Sequence, residues 1–216
     1  LYTVVTTVKR AGETVDVKHT RFGFREITWN GDGFRINGVP WQFWADTGQK
    51  HSVELFIQKC RESGQNVCRY ANWHMRPWKT GSPRQHLDAL DEAGIMVRHS
   101  SSFDGMHAQY GPGLAQGEGD NRTWNRALFK HTAEYLRAWV RSHRNHPSVF
   151  VWSYENEITY INANNLGMSE YVEPGMRWLG EQVMLADPTR PAMVDGGRAL
   201  RPPEEWRNAP AKVVAI

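Results

Sequence analysis

The sequence predicts an α/β fold built as a parallel (β/α)8 barrel, incomplete in this chain. Three observations carry that prediction. Short apolar runs alternate with helical patterns from residue 39 onward, which is the signature of a parallel sheet covered by helices. Polar residues follow just past the C-terminal tips of the apolar runs, the end at which a barrel presents its working groups. No run leads into a Gly-rich phosphate loop, so a doubly wound sheet is the second choice.

The elements follow in order. Tyr2 to Lys9 alternates with period two, Ala11-Gly12-Glu13 reads as a turn, and Thr14 to Lys18 reads as the return strand of a hairpin. An isolated hairpin is marginal in water, so its sheet should be completed by strands from elsewhere. Ile27 to Ile36 reads as a second hairpin about Asn30-Gly31-Asp32-Gly33, and Val39 to Ala45 as one strand. Ser52 caps a helix with Val53, Phe56, Ile57 and Cys60 on one face, ended by Gly64. Asn66 to Ala71 is a strand. Ser82 and Pro83 open a helix that Gly94 closes, and Ile95 to His99 is a strand. Phe103 to Asp120 has no periodicity and reads as a long loop. A helix is predicted over about 121–142, a buried strand over Ser148–Ser153, a helix over about 173–185 and a strand over Ala192–Asp195. Ala211 to Ile216 resembles one more buried strand.

Composition excludes several classes. The 216 residues carry 26 Lys+Arg against 23 Asp+Glu, a formal net charge of +3. That surplus is small and scattered, so no nucleic-acid partner is expected. No apolar run reaches the roughly 20 residues of a membrane span. At 40% hydrophobic and 23% charged the chain is not disordered. Two cysteines cannot form a disulfide-rich scaffold or a four-cysteine zinc site, and Cys60 and Cys68 read as buried thiols. Ten tryptophans are many; some suit the flat apolar face of a sugar. The first residue is Leu1, so no signal peptide can be read and the compartment stays open, with a bacterial periplasmic or extracellular location slightly favoured.

One group of residues stands out. The strand Ser148–Ser153 runs into Tyr154-Glu155-Asn156-Glu157, two carboxyls and an amide at the end of a buried strand. If the strand stays extended, Glu155 and Glu157 share one side. A carboxyl at a barrel mouth among aromatic rings can have its pKa raised and serve as a general acid. The residue types alone are equally compatible with an ordinary loop start.

His146-Pro147-Ser148-Val149-Phe150-Val151-Trp152-Ser153-Tyr154-Glu155-Asn156-Glu157 resembles the "HPS-hydrophobic-WS-x-x-NE" signature of glycoside hydrolase family 2. Thr20 to Ile27 is similar to that family's junction between an immunoglobulin-like domain and its barrel. Asp32 to Pro40 resembles the hairpin that opens the barrel, and Asp187-Pro188-Thr189-Arg190-Pro191 the turn before the fifth barrel strand. These stretches lie in family order across nearly the whole chain. The resemblance implies residues 1–26 as the last strands of an immunoglobulin-like β-sandwich and 27–216 as the first part of the barrel. It implies Glu157 as catalytic acid/base of a retaining β-glycosidase, Asn156 as the ligand of the sugar 2-hydroxyl, and Arg69 as support for the nucleophile region. The family nucleophile is expected downstream of this chain, so the rest of the polypeptide is an expected partner and the segment alone should be inactive. The alternative is a carbohydrate-binding or inactive barrel. Oligomerisation is compatible with either.

Further candidates for a carbohydrate ligand are Asp46, Asn72, His74, His99, Asp195 and Trp44, each at or just past a predicted strand end, with Trp73 and Trp78 as additional stacking surfaces. Each has a bland reading as a capping or packed residue, and for His99, Asn72 and His74 the two readings are evenly matched. After Arg69 the chain has Tyr70-Ala71-Asn72-Trp73-His74 where the family often shows Ser-His-Tyr-Pro, and Trp44-Ala45-Asp46 replaces an Asn-Arg-His type loop, so the sugar is not specified. Glu155 reads as a supporting carboxylate. No cofactor is expected. No metal is expected either: His143 and His146 are three apart, but Pro147 ends the helix and no carboxylate completes a zinc pattern.

Overall fold

A computed structural model of the chain describes residues 1–29, 33–46, 52–71, 81–105 and 112–195. The chain opens on a long antiparallel hairpin, β1 (Tyr2–Arg10) and β2 (Glu13–Phe22), with a bulge between Val8 and Lys9. Three short strands follow, β3 (Ile27–Trp29), β4 (Phe34–Ile36) and β5 (Val39–Trp41), as an antiparallel sheet in the order β3-β4-β5.

The barrel begins at β6 (Ala45–Asp46). The chain then alternates through α1 (Val53–Ser63), β7 (Val67–Ala71), α2 (Pro83–Ala93) and β8 (Met96–Ser100). Between β8 and the next helix lies a ribbon of β9 (Ala115–Gln116) with β10 (Thr123–Trp124). Then come α3 (Arg126–His143), β11 (Val149–Ser153), α4 (Ser169–Ala186) and β12 (Ala192–Met193). The five strands β6, β7, β8, β11 and β12 lie side by side in chain order and all run parallel. A doubly wound sheet would reverse its order partway; this one does not, and that is the sequential winding of a barrel wall. Among the described residues the wall is an open arc of five strands.

Local chemistry sets the helix boundaries. Ser52 Oγ accepts from Leu55 N, and Gly64 ends α1 in the left-handed region at φ 74°. Ser82 and Gln85 form a reciprocal capping box, Pro83 takes the first turn of α2, where its missing N–H costs nothing, and Gly94 closes it at φ 70°. Helix α3 starts at Arg126, later than the sequence pattern suggested. Asn125 is its cap, and Thr123–Trp124 is drawn off to pair with Ala115–Gln116. The predicted strand 39–45 is two pieces: Val39–Trp41 belongs to the antiparallel sheet, and the barrel strand starts only at Ala45.

The wall has two cores. Its outer face packs on the helices through Leu87, Leu90, Phe129, Leu136, Trp152, Leu179 and Val183, all fully buried. Its inner face carries Val67, Met96, Phe150, Val151 and Met193, with Ile27, Ile36 and Phe43 packed against them. The sheet β3–β5 therefore plugs the barrel floor. Phe43 stacks on Phe150 at 4.6 Å, and Phe34 meets both rings edge-on. A register shift between Val149 and Val151 breaks the alternation of β11, which is how Phe150 and Val151 both reach the inner core.

The family-like stretches meet in space at this floor. Gly23 lies against Pro147; a Cβ on it would fall 2.8 Å from the proline ring. Arg25 donates to the carbonyls of Pro147 and Val149, and burial lowers its pKa to about 10 against the pull of Asp187 and Asp91. His146 Nδ1 bonds Asp91 at 2.7 Å, and Ser148 N donates to the same carboxylate. The His-Pro-Ser half of the signature thus docks the hairpin stem onto the barrel.

Candidate active site

The polar cluster sits at the opposite end, on the C-terminal tips. On β8 the side chains alternate between Met96, Arg98 and Ser100 inward and Val97 and His99 outward. Arg69, in the middle of β7, points into the barrel beside them. Its Nε donates to Ser100 Oγ at 3.1 Å and its Nη2 to Asn156 Oδ1 at 2.6 Å, and it pairs with Asp195 at 3.3 Å. Arg98 pairs with the other oxygen of Asp195 at 3.1 Å, and Ser153 Oγ donates to Asp195 at 3.3 Å. Burial lowers the Arg98 pKa while Asp195 opposes the shift. Four strands thereby contribute to one network, with the Asp195 carboxylate gripped by two guanidinium groups.

Asn156 is 3% exposed and fixed at both backbone ends: its N–H donates to Phe103 O and its C=O accepts from Gly105 N. With Oδ1 engaged by Arg69, the amide Nδ2 is the group left to donate to a ligand oxygen. The strand has ended by then. Glu157 takes φ 59°, a left-handed conformation that costs a side-chain-bearing residue about 1–2 kcal/mol. Its N–H donates to Asp195 O at 2.9 Å. It is half-buried, and its carboxylate makes no hydrogen bond or ion pair among the described residues. The expectation that Glu155 and Glu157 share a strand face therefore fails, because the backbone turns at Glu157.

Glu155 explains how the turn is held. It is fully buried; Oε2 accepts from Ile158 N at 2.7 Å and Thr159 N at 3.3 Å, and Oε1 from Asp195 N at 2.6 Å. Burial drives its pKa up to about 8, partly offset by these three backbone donors. The supporting role read from the sequence is the one the geometry shows. The wide helical turn Ile158–Asn164 follows directly, a rare form that clusters at functional sites.

Two sequence candidates lie elsewhere. His99 faces the helices, fully buried among Tyr70, Trp139, His143 and Trp152, with Nδ1 on Tyr70 O. Burial, then the nearby His143, pushes its pKa well down. It is a packed histidine, not a group at the mouth. Trp44 is 65% exposed but precedes β6, tied to Asn66 at the start of β7. That is the N-terminal end of the wall, away from the cluster; the misread strand 39–45 had put it at a tip. Asp46 ends β6 opposite Cys68. Asn72, His74, Trp73 and Trp78 lie outside the described residues. Arg98 was missed: alternation sets it on the opposite face of β8 from His99, and the sequence assigned the inner face to the histidine. Asp88, Asp91 and His146 bring ligand-type atoms within 4.8 Å of one another, but at the floor, where His146 bonds Asp91 and Arg21 pairs with Asp88.

A family model for the TIM barrel domain of glycosyl hydrolases family 2 matches residues 76–204. The chain belongs to glycoside hydrolase family 2. It is 29% identical over 169 residues to a putative β-glucuronidase of Formosa agariphila, covering 73% of this chain and 15% of that protein. It is 25% identical over 186 residues to a β-glucuronidase of Streptococcus agalactiae (81% and 29%) and 24% over 200 residues to a β-galactosidase of Enterobacter cloacae (87% and 17%). This family 2 segment thus spans less than a third of the length of these relatives. Among solved structures it is similar to the Parabacteroides merdae β-glucuronidase with glycerol in its active site, at TM-score 0.63 and 22% identity over 87% of this chain and 22% of that one. A Ruminococcus gnavus β-glucuronidase gives TM-score 0.63 at 16% identity, covering 89% and 31%. These structural likenesses establish the fold, a barrel wall where the strand order had already put one.

Proposed function

We propose that this segment supplies the acid/base half of a retaining β-glycosidase. The observation that carries the reading is the fixed trio at the strand tips: Arg69 holding Asn156 by Oδ1, and Glu157 following in a strained backbone turn tied to Asp195. A strained residue held by its surroundings is the usual mark of a working group. The buried amide would donate to a sugar hydroxyl beside the scissile bond. Glu157 would protonate the departing glycosidic oxygen while a second carboxylate, on a strand beyond the five described, attacks the anomeric carbon. The ionised Glu157 would then take a proton from water as that water displaces the enzyme carboxylate. Retention asks that the two carboxyls stand about 5–5.5 Å apart. The relatives' names point to β-glucuronides and β-galactosides as the first substrates to try.

The test compares leaving groups in the complete protein that contains this segment. Glu157→Gln should lower turnover about 10²–10⁴-fold on an alkyl or sugar leaving group, which needs a proton. It should lower glycosylation far less on a dinitrophenyl glycoside, which does not. Equal losses on both, or no loss, would remove Glu157 from the role.

A further inference from the structure

The flank of the barrel carries a second feature, sharing no residue with the strand-tip cluster. Between α3 and α4 runs a groove of about 390 Å³ lined by Trp124, Arg126, Lys130, Arg137 and Trp178. That volume lies within the roughly 300–1,000 Å³ of ligand-holding clefts. Among the described residues its walls hold two indoles and three cations and no carboxylate.

The indole platform is built, not incidental. Gly175 of α4 lets Trp124 lie on the helix, since a Cβ there would come 2.9 Å from the indole. Phe129 braces the same ring edge-on at 5.2 Å, and Trp178 sits beside it at 5.7 Å, tilted 31°. The Arg126 guanidinium rests 4.9 Å from the centre of the Trp124 ring, and Arg122 similarly covers Tyr171 at 5.1 Å. Arg137 is oriented by an amide, Gln182, rather than by an acid. Neither Arg126 nor Lys130 forms an ion pair among the described residues.

Helix energetics do not account for these charges. Arg126 is the first residue of α3 and Lys130 the fifth, with no acid in the first turn. The N-terminus is the positive end of the helix dipole, so a cation at Arg126 costs a few tenths to about 1 kcal/mol. Burial does not require them, and the hydrolysis proposed above does not use them.

We propose that this groove binds an acidic polysaccharide whose sugars carry carboxylates. Pyranose rings present apolar faces that indoles can cover, and a guanidinium held flat offers its fork of donors to a carboxylate. The test is affinity electrophoresis of the full chain through gels containing polygalacturonate, with neutral dextran, dextran sulfate and a single-stranded oligonucleotide as comparisons. Retardation by polygalacturonate is expected, falling several-fold in Trp178→Ala and disappearing in Arg126→Glu/Lys130→Glu. A melting curve of the double variant as high and as sharp as the parent's separates loss of binding from unfolding, and Arg126→Gln/Lys130→Gln, which adds no like-charge pair with Glu134, should lose most of the retardation as well. Four outcomes each overturn the proposal: equal retardation of parent and variants, equal retardation by neutral dextran, stronger retardation by dextran sulfate, or oligonucleotide binding as tight as polygalacturonate.

Discussion

At the scale of single residues, the unusual arrangement is that a buried carboxyl, Glu155, fixes the half-buried residue Glu157 through shared contacts with the Asp195 backbone. Asp195 N donates to Glu155, and Asp195 O accepts from Glu157 N. The sign of the Glu155 effect on stability follows from its pKa. Raised from 4.5 to about 8 by burial, it binds more protons in the native state than in the unfolded one between those values. Stability should therefore be highest below about pH 4.5 as far as this group is concerned, and should fall as pH rises towards 8. Glu155→Gln should flatten that slope, read from urea midpoints across the range. An unchanged slope would mean that another group carries it. The amide should also leave a lone misfit, because its NH2 meets backbone donors where an oxygen had accepted.

At the scale of elements, the boundaries that the chain announces locally came out as expected. Ser82-Pro83 and Gly94 bracket α2 because each solves a problem of that one position: an orphan N–H, a redundant N–H, a left-handed exit. What depends on distant partners was not legible. The pattern of Val39 to Ala45 does not say that two different sheets share it, and the bulge in β11 has no local marker. Alternation put Arg98 and His99 on opposite faces of β8 without saying which face lies inside. The site divides in the same way. That Arg69, Asn156 and Glu157 would come together near the strand tips was readable from the signature, whereas the grip of Ser100, Ser153 and Arg98 on their neighbours exists only once four strands stand together. The Gly23–Pro147 contact gives a direct test at this scale. Gly23→Ala should cost about 1–3 kcal/mol by overpacking, seen as a lower urea midpoint. Gly113→Ala, with nothing within 4 Å of its Cβ and no left-handed backbone, should be close to neutral.

At the scale of the whole molecule, the two ends of the barrel wall divide the labour. The floor is closed by aromatic rings and by the docked hairpin stem, while the far end holds the charged network. The same arrangement leaves Tyr2, Val4, Val5, Val8, Val15 and Val17 on β1 and β2 each about half exposed, so among the described residues nothing covers either face of the ribbon. Such a ribbon invites strand-to-strand pairing. Expressed alone, the chain should self-associate as its concentration rises, visible as a growing scattering mass in multi-angle detection. Lysines in place of Val4 and Val15 should restore a single monodisperse peak without altering the melt of the barrel wall. If that association is seen, the concentration at which the segment can be handled is set by its first two strands, and the chemistry at the far end plays no part in it.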